Sequence, residues 1–251
     1  MVMLKGDILR MKNSLFAVDL EKIYGKRKVV DSVSINVNSG EIVGLLGPNG
    51  AGKTTTFYMI VGMIRANRGK IVLNENVITK LPMYKRAQLG IGYLQQESSI
   101  FRGLKTWENI YSVLEMKGFS KDICISKTDE LLERYSIKHI KDTRGAYLSG
   151  GERRRVEIAR IMSTQPKFLL LDEPFTGIDP IIKNELQKII LALKDENVGV
   201  LITDHNVRET LEITVRSYIM YDGKILIDGE TEMLVNDNEV KRKYLGESFR
   251  L

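Results

Sequence analysis

Residues 47–55 read GPNGAGKTT; they follow the apolar run EIVGLL and open a stretch of helical character. Strand, glycine-rich loop and helix in that order fit G-x-x-x-x-G-K-[ST] without a gap. That context restricts the chain to folds that set a phosphate-binding loop between a buried strand and a helix. In such a loop the backbone of Gly47, Pro48, Asn49, Gly50, Ala51 and Gly52 wraps the phosphates. Lys53 reaches the β and γ groups, Thr54 offers its hydroxyl to Mg²⁺, and Thr55 completes the turn into the helix. The competing reading, a plain glycine-rich turn, is disfavoured by the flanking strand and helix.

Strand-like segments dominate the first third: LFAVDL at 15–20, VSINVN at 33–38, EIVGLLG at 41–47 and KIVLN at 70–74. They predict a β-rich lobe. Residues 106–140 hold two helical patterns, the first capped by Thr106 and the second by Ser120 or Ser126, ending near Tyr135. From Ser149 the pattern alternates. A helix at 150–164 leads to the strand FLLLD at 168–172, then a helix at 181–194 with Ile182, Leu186, Ile189, Ile190 and Leu193 on one face, then VGVLIT at 198–203. Short, wholly apolar strands between helices imply a buried parallel sheet. Asp222-Gly223 predicts a hairpin turn inside SYIMYDGKILIDG, and a short polar helical region follows.

FLLLDE ends its strand in two carboxylates. Asp172 can enter the shell of a Mg²⁺ ion and Glu173 can polarise an attacking water, which divides metal binding from general-base chemistry. LSGGE, residues 148–152, is the rarer motif. Ser149, Gly150 and Gly151 at a helix start supply a hydroxyl, close backbone approach and a positive dipole end, all suited to a γ-phosphate. One nucleotide cannot be served by both cradles from a single lobe without crowding. A second copy of the chain is the natural supplier.

With these motifs the chain resembles the ATP-binding cassette family, in which two subunits sandwich two ATP molecules head to tail. The resemblance implies an α/β cassette over residues 14–251: a parallel-sheet core carrying the phosphate loop, an antiparallel β lobe and an α-helical insertion at about 98–165. Residues 1–13 stand as an N-terminal extension. It further implies that Tyr24 stacks on adenine, that Gln96 in YLQQE senses the γ-phosphate and Mg²⁺, that Asp179 in FTGIDP crosses a dimer interface, and that His205 in LITDHN contacts the γ-phosphate. ATP and Mg²⁺ are the implied cofactors, the ion held through Thr54, Gln96 and Asp172. Catalysis falls to Glu173 with Lys53, Gln96 and His205. Gln95 stands where proline is usual, a change expected to loosen the approach to Gln96.

Within the family, GIGYLQQESSIFRGL, LSGGERRRVEIAR, LITDHNVRETL and the ending YLGESFRL are similar to the motor subunits of lipopolysaccharide exporters. The resemblance implies a homodimer driving two transmembrane permease subunits, which dock near Phe101, Arg102 and Trp107. Motors of other transporters, such as branched-chain amino acid importers, form the alternative. Cassette proteins of ribosomes or DNA repair fit less well, since these carry paired cassettes or a long coiled-coil insertion.

Bulk properties agree with a peripheral cytoplasmic protein. No window reaches the roughly 18 uninterrupted apolar residues of a membrane span, and charged residues break the first twenty positions, so no secretory signal is expected. The single cysteine, Cys124, reads as a packing residue, and two histidines make a zinc site improbable. The net charge of +6 is spread along the chain, with KRK at 26–28 and RRR at 153–155 the densest runs. That spread gives no indication of a nucleic-acid partner.

Overall fold

Two sheets carry the chain, and a computed structural model describes residues 13–246 of it. Residues 1–12 of the expected extension and the last five residues of YLGESFRL lie outside the described residues. Strands β1 (Ser14–Tyr24) and β2 (Arg27–Asn38) form a hairpin. β3 (Ile42–Leu46) leads through the phosphate loop into α1 (Lys53–Val61). β4 (Arg68–Leu73) and β5 (Asn76–Val77) complete a four-stranded antiparallel sheet of order β2-β1-β4-β5, the expected β lobe without EIVGLLG, whose strand β3 pairs with parallel strands in the second sheet instead.

After α2 (Met83–Gln88) and β6 (Ile91–Leu94) come three helices of the insertion: α3 (Thr106–Met116), α4 (Lys121–Arg134) and α5 (Gly150–Met162). The chain then alternates through β7 (Phe168–Asp172), α6 (Pro180–Asp195), β8 (Gly199–Thr203) and α7 (Val207–Leu211). It closes with β9 (Arg216–Tyr221), β10 (Lys224–Glu230) and α8 (Thr231–Asn236). The second sheet has the order β10-β9-β3-β8-β7-β6, with β9, β3, β8, β7 and β6 parallel and β10 antiparallel to β9.

The apolar runs of β3, β7 and β8 are buried along their whole length because both sheet faces are covered. Side chains alternate between two cores. Ile42, Leu169, Leu171, Val200 and Ile202 join the helical insertion, whereas Val43, Leu45, Phe168, Leu170 and Leu201 join α1 and the antiparallel lobe. Each fully buried Leu or Phe contributes about 1.5–3 kcal/mol, so this sheet rigidly fixes the loops at its strand ends. A third cluster, with Leu46, Leu211, Ile219, Leu234, Val235 and Val240, seats the C-terminal segment beneath the phosphate loop.

Two expectations need adjustment. Thr106 is the first helical residue of α3 rather than its cap: Lys105 holds the capping position, its N–H donating to Glu108 Oε2 at 2.6 Å, while the Thr106 hydroxyl bonds the Thr143 carbonyl. Ser120 holds the N-cap position of α4 without a side-chain hydrogen bond to the helix, and Ser126 lies inside it. The sequence reading also passed over α2 and β6. Arg86 of α2 is buried and donates to the carbonyls of Met59 and Ile60, which satisfies the end of α1. Burial lowers its guanidinium to about 10.

Candidate active site

The phosphate loop owes its shape to Gly47. Its φ is +147°, and a Cβ there would meet the Met220 carbonyl oxygen at 2.0 Å, so the backbone of β9 passes too close for any side chain. Gly52, at φ +104°, starts α1. Lys53 is buried, and its ammonium donates to the carbonyls of Gly47 at 2.7 Å and Pro48 at 3.0 Å. Burial lowers its pKa, against the pull of Glu173 and Asp172 nearby.

Asp172 and Glu173 end β7 beside this loop. Asp172 Oδ2 accepts the Tyr93 hydroxyl at 3.2 Å, while its buried Oδ1 has no hydrogen-bond partner. Burial first, then the neighbouring Glu173, pushes its carboxyl up to about 6. An acid with an orphaned, desolvated oxygen is a site that a cation completes, and Thr54 opens α1 on the same loop. The residues present therefore fit Mg²⁺.

Glu173 adopts φ +50°, a left-handed conformation that costs a non-glycine residue about 1–3 kcal/mol and recurs at functional turns. Its N–H bonds the Thr203 carbonyl at 2.7 Å. Three side chains meet its carboxylate: His205 Nε2 lies 2.6 Å from Oε1, and Gln96 Nε2 and the Thr176 hydroxyl donate to Oε2 at 2.7 and 3.3 Å. The structure thus gathers Gln96, Glu173 and His205 around one carboxylate, with Asp172 adjacent in the chain and Lys53 within electrostatic reach.

Ser149 caps α5, and its hydroxyl donates to Glu152 Oε2 at 2.7 Å. Gly151 lets α5 lie against α6, since a Cβ there would fall 2.2 Å from Ile182. Asp179 caps α6. Tyr24, half exposed, ends β1 with the Lys22 ammonium 5.1 Å from its ring centre. Among the described residues no hydrogen bond or ion pair joins Ser149, Gly150, Gly151, Asp179 or Tyr24 to the phosphate loop or to Glu173. Phe101 and Arg102 are exposed, whereas Trp107 is half buried in the insertion, edge-on to Tyr111.

Arg154 and Glu157 are not singled out by the sequence, where RRR at 153–155 stands only as one of the densest basic runs. Arg154 is buried and donates to the carbonyls of Gln95 at 2.8 Å, Asp172 at 3.4 Å and Glu173 at 3.2 Å. Glu157 bonds Arg154 and also receives Ser98 and Ser99. Against the expected loosening of the approach to Gln96, this arginine holds the Gln95 carbonyl.

The arrangement is that of a nucleotide-hydrolysing cassette, and comparison agrees. The model of a family described as ABC transporter matches residues 30–176, from β2 through the phosphate loop, Gln96, Ser149 and Glu173. The chain belongs to the ABC transporter family. The cassette is 58% identical over 238 residues to the lipopolysaccharide export system ATP-binding protein LptB of Haemophilus influenzae, covering 94% of this chain and 99% of that one. It is 52% identical over 239 residues to the protein of the same name from Escherichia coli K12, covering 95% and 99%. Among solved structures, an ATP-binding cassette of an ABC transporter in its ADP conformation superposes with a TM-score of 0.83 at 28% identity, covering 94% of this chain and 99% of that one. Among the described residues of the cassette no helix is long and apolar enough to cross a membrane.

Proposed function

We propose that this chain is the ATP-hydrolysing motor of a lipopolysaccharide exporter, a homodimer at the cytoplasmic face of the inner membrane that drives two permease subunits. The observation that carries the reading is the convergence of Gln96 and His205 on the two oxygens of Glu173 at the edge of the phosphate loop. The choice of cargo is supported by the two relatives named for lipopolysaccharide export, each similar along nearly the whole chain.

In this arrangement the base is capped. A γ-phosphate in the cradle gives Gln96 and His205 an oxygen to turn to, which leaves a Glu173 oxygen for a water molecule. Lys53 leaves the Gly47 and Pro48 carbonyls for the phosphates, exchanging two neutral acceptors for charged ones. Thr54, Gln96 and Asp172 would hold Mg²⁺, which would supply neutralisation of phosphate charge. Ser149 and the start of α5 face the nucleotide of a second copy.

Replacing Glu173 with Gln keeps size and removes basicity. Turnover is expected to fall by about 10²–10⁴-fold, with ATP still bound and the variant trapped as an ATP-loaded dimer in size-exclusion chromatography. Near-normal turnover would refute the assignment.

A further inference from the structure

We propose that Asp204 is a positioning residue for hydrolysis, holding His205 and the turn after Glu173 in one fixed relation; the inference rests on Glu173 and His205 carrying the reaction. Asp204 is fully buried. Its Oδ1 accepts the Asn206 backbone N–H at 2.8 Å and the Asn206 side-chain amide at 2.7 Å. Its Oδ2 accepts the Phe175 N–H at 2.8 Å. The β7–β8 ladder ends at the pair Asp172 and Thr203. Beyond that rung two stitches continue the join: the Glu173 N–H to the Thr203 carbonyl, and the Phe175 N–H to Asp204.

These stitches bracket the reacting groups. Glu173 sits in a left-handed conformation that its neighbours must maintain. The Phe175 contact fixes the turn on one side of it, and the Asn206 contacts fix the chain on the other side of His205. The 2.6 Å approach of His205 Nε2 to Glu173 Oε1 lies between these anchors. Lys183 of α6 reinforces the outer anchor, its ammonium donating to Asn206 Oδ1 at 3.2 Å. Asp204 need touch neither ATP nor water; it sets where two side chains meet.

The donor set is selective, because each of the three hydrogen bonds to the carboxylate comes from an N–H. An Asn amide has one acceptor oxygen, so in either orientation its NH₂ opposes a donor. A Ser hydroxyl can still reach the local N–H two residues on, as in a short polar turn, but is too short for Phe175. Asp204→Ser therefore keeps the start of α7 and cuts the link to the Glu173 turn. A local capping role and a positioning role separate at this substitution.

The test uses the full chain with Asp204→Ser, Asp204→Asn and Asn206→Ala. The protein has two histidines, so a two-dimensional ¹H–¹⁵N spectrum of the imidazoles resolves His205 once His139→Gln assigns the other. With Asp204→Ser and Asp204→Asn, kcat is expected to fall by about 10–10²-fold, the scale of a small misplacement of reacting groups. The KM for ATP stays near its original value, and the His205 ring signals move while those of His139 do not. Asn206→Ala keeps both backbone stitches and should displace the His205 signals less, in the same direction; it carries the test if the Asp204 variants fail to fold. Wild-type kcat in the Asp204 variants, or unmoved His205 signals in whichever variants fold, overturns the proposal. Glu173→Gln and His205→Ala are measured alongside. Normal turnover in those two sinks the site assignment itself, whereas loss in them beside normal turnover in Asp204→Ser sinks only the role of Asp204.

Discussion

A single hydroxyl, that of Tyr93, is the side-chain hydrogen-bond partner of the Asp172 carboxylate among the described residues. Tyr93 comes from β6, meets Tyr58 of α1 edge-on with ring centres 6.5 Å apart, and donates to Asp172 Oδ2. Its phenol is raised by burial and by Asp172, so it stays protonated and acts as a donor across the physiological range. Tyr93→Phe retains the ring packing and removes that donor. The Mg²⁺ concentration for half-maximal ATPase activity is expected to rise by up to about tenfold, the lower end of the cost of losing a group that orients a metal ligand. A magnesium titration at saturating ATP checks this, and an unchanged midpoint would show that the hydroxyl does not orient the carboxylate. Residues such as Lys53, Asp172, Glu173 and His205 were legible because fixed spacing ties each to a strand end or loop. Tyr93, Arg154 and Asp204 were not, since a tyrosine in a short strand, an arginine in a basic run and an aspartate beside a histidine all read as ordinary surface residues. Only burial reveals that Arg154 and Asp204 bind backbone groups of the site.

At the level of elements, the segment between β6 and α3 joins the site to the insertion. It leaves Gln96, passes Ser98 and Ser99 on Glu157, and reaches Phe101, whose backbone N–H and carbonyl are both bound by the buried Asn109 side chain. The Phe101 backbone is therefore fixed while its ring is 46% exposed, with the Arg160 guanidinium 4.6 Å from the ring centre. A held, exposed aromatic next to Arg102 suits a contact for a permease helix. Phe101→Ala should abolish co-purification with the permease subunits and leave ATP binding intact. The lost ring contact costs about 0.5–1 kcal/mol, a shift of a few degrees at most in thermal unfolding for a chain of this size. A collapsed melting temperature would place Phe101 in the core, and an unchanged pull-down would remove it from the interface. Trp107 is the weaker anchor, because its ring is spent on Tyr111 and the core of the insertion. The parallel strands β7 and β8 were readable as apolar runs between helical patterns, and Asp222-Gly223 marked the β9–β10 hairpin. β6 was missed because IGYL is too short for a periodicity and its edge position depends on pairing with the distant β7.

At the scale of the whole molecule, the phosphate loop and the start of α5 are separate candidate cradles, with no hydrogen bond joining them among the described residues. The phosphate loop opens beside Glu173, whereas Ser149 and α5 start from the insertion, with Tyr147 two residues before Ser149 78% exposed and Ile181, next in the chain to the Ile182 that packs on Gly151, 77% exposed. Large apolar residues left bare near a polar cradle favour a face that a second copy covers. In a head-to-tail pair, each nucleotide would take Lys53 from one chain and Ser149 from the other. Lys53→Ala removes the phosphate ligand, and Ser149→Arg fills the opposing cradle, so each variant alone should be inactive. When the two are mixed, a heterodimer combines both lesions in one composite site and leaves the other site with a native Lys53 and a native Ser149. With random pairing about a quarter of all sites are then intact, and activity should return toward that fraction if the sites act independently. Mixing ratios followed by ATPase assay, with heterodimers confirmed by differential tags, give the measurement. Verified heterodimers that stay at the parental background mean either strict coupling of the two sites or a wrong geometry. Crosslinking cysteines placed at Ser149 and in the phosphate loop then decides: an ATP-dependent link between chains retains the head-to-tail pair with coupled sites, and its absence discards the pair.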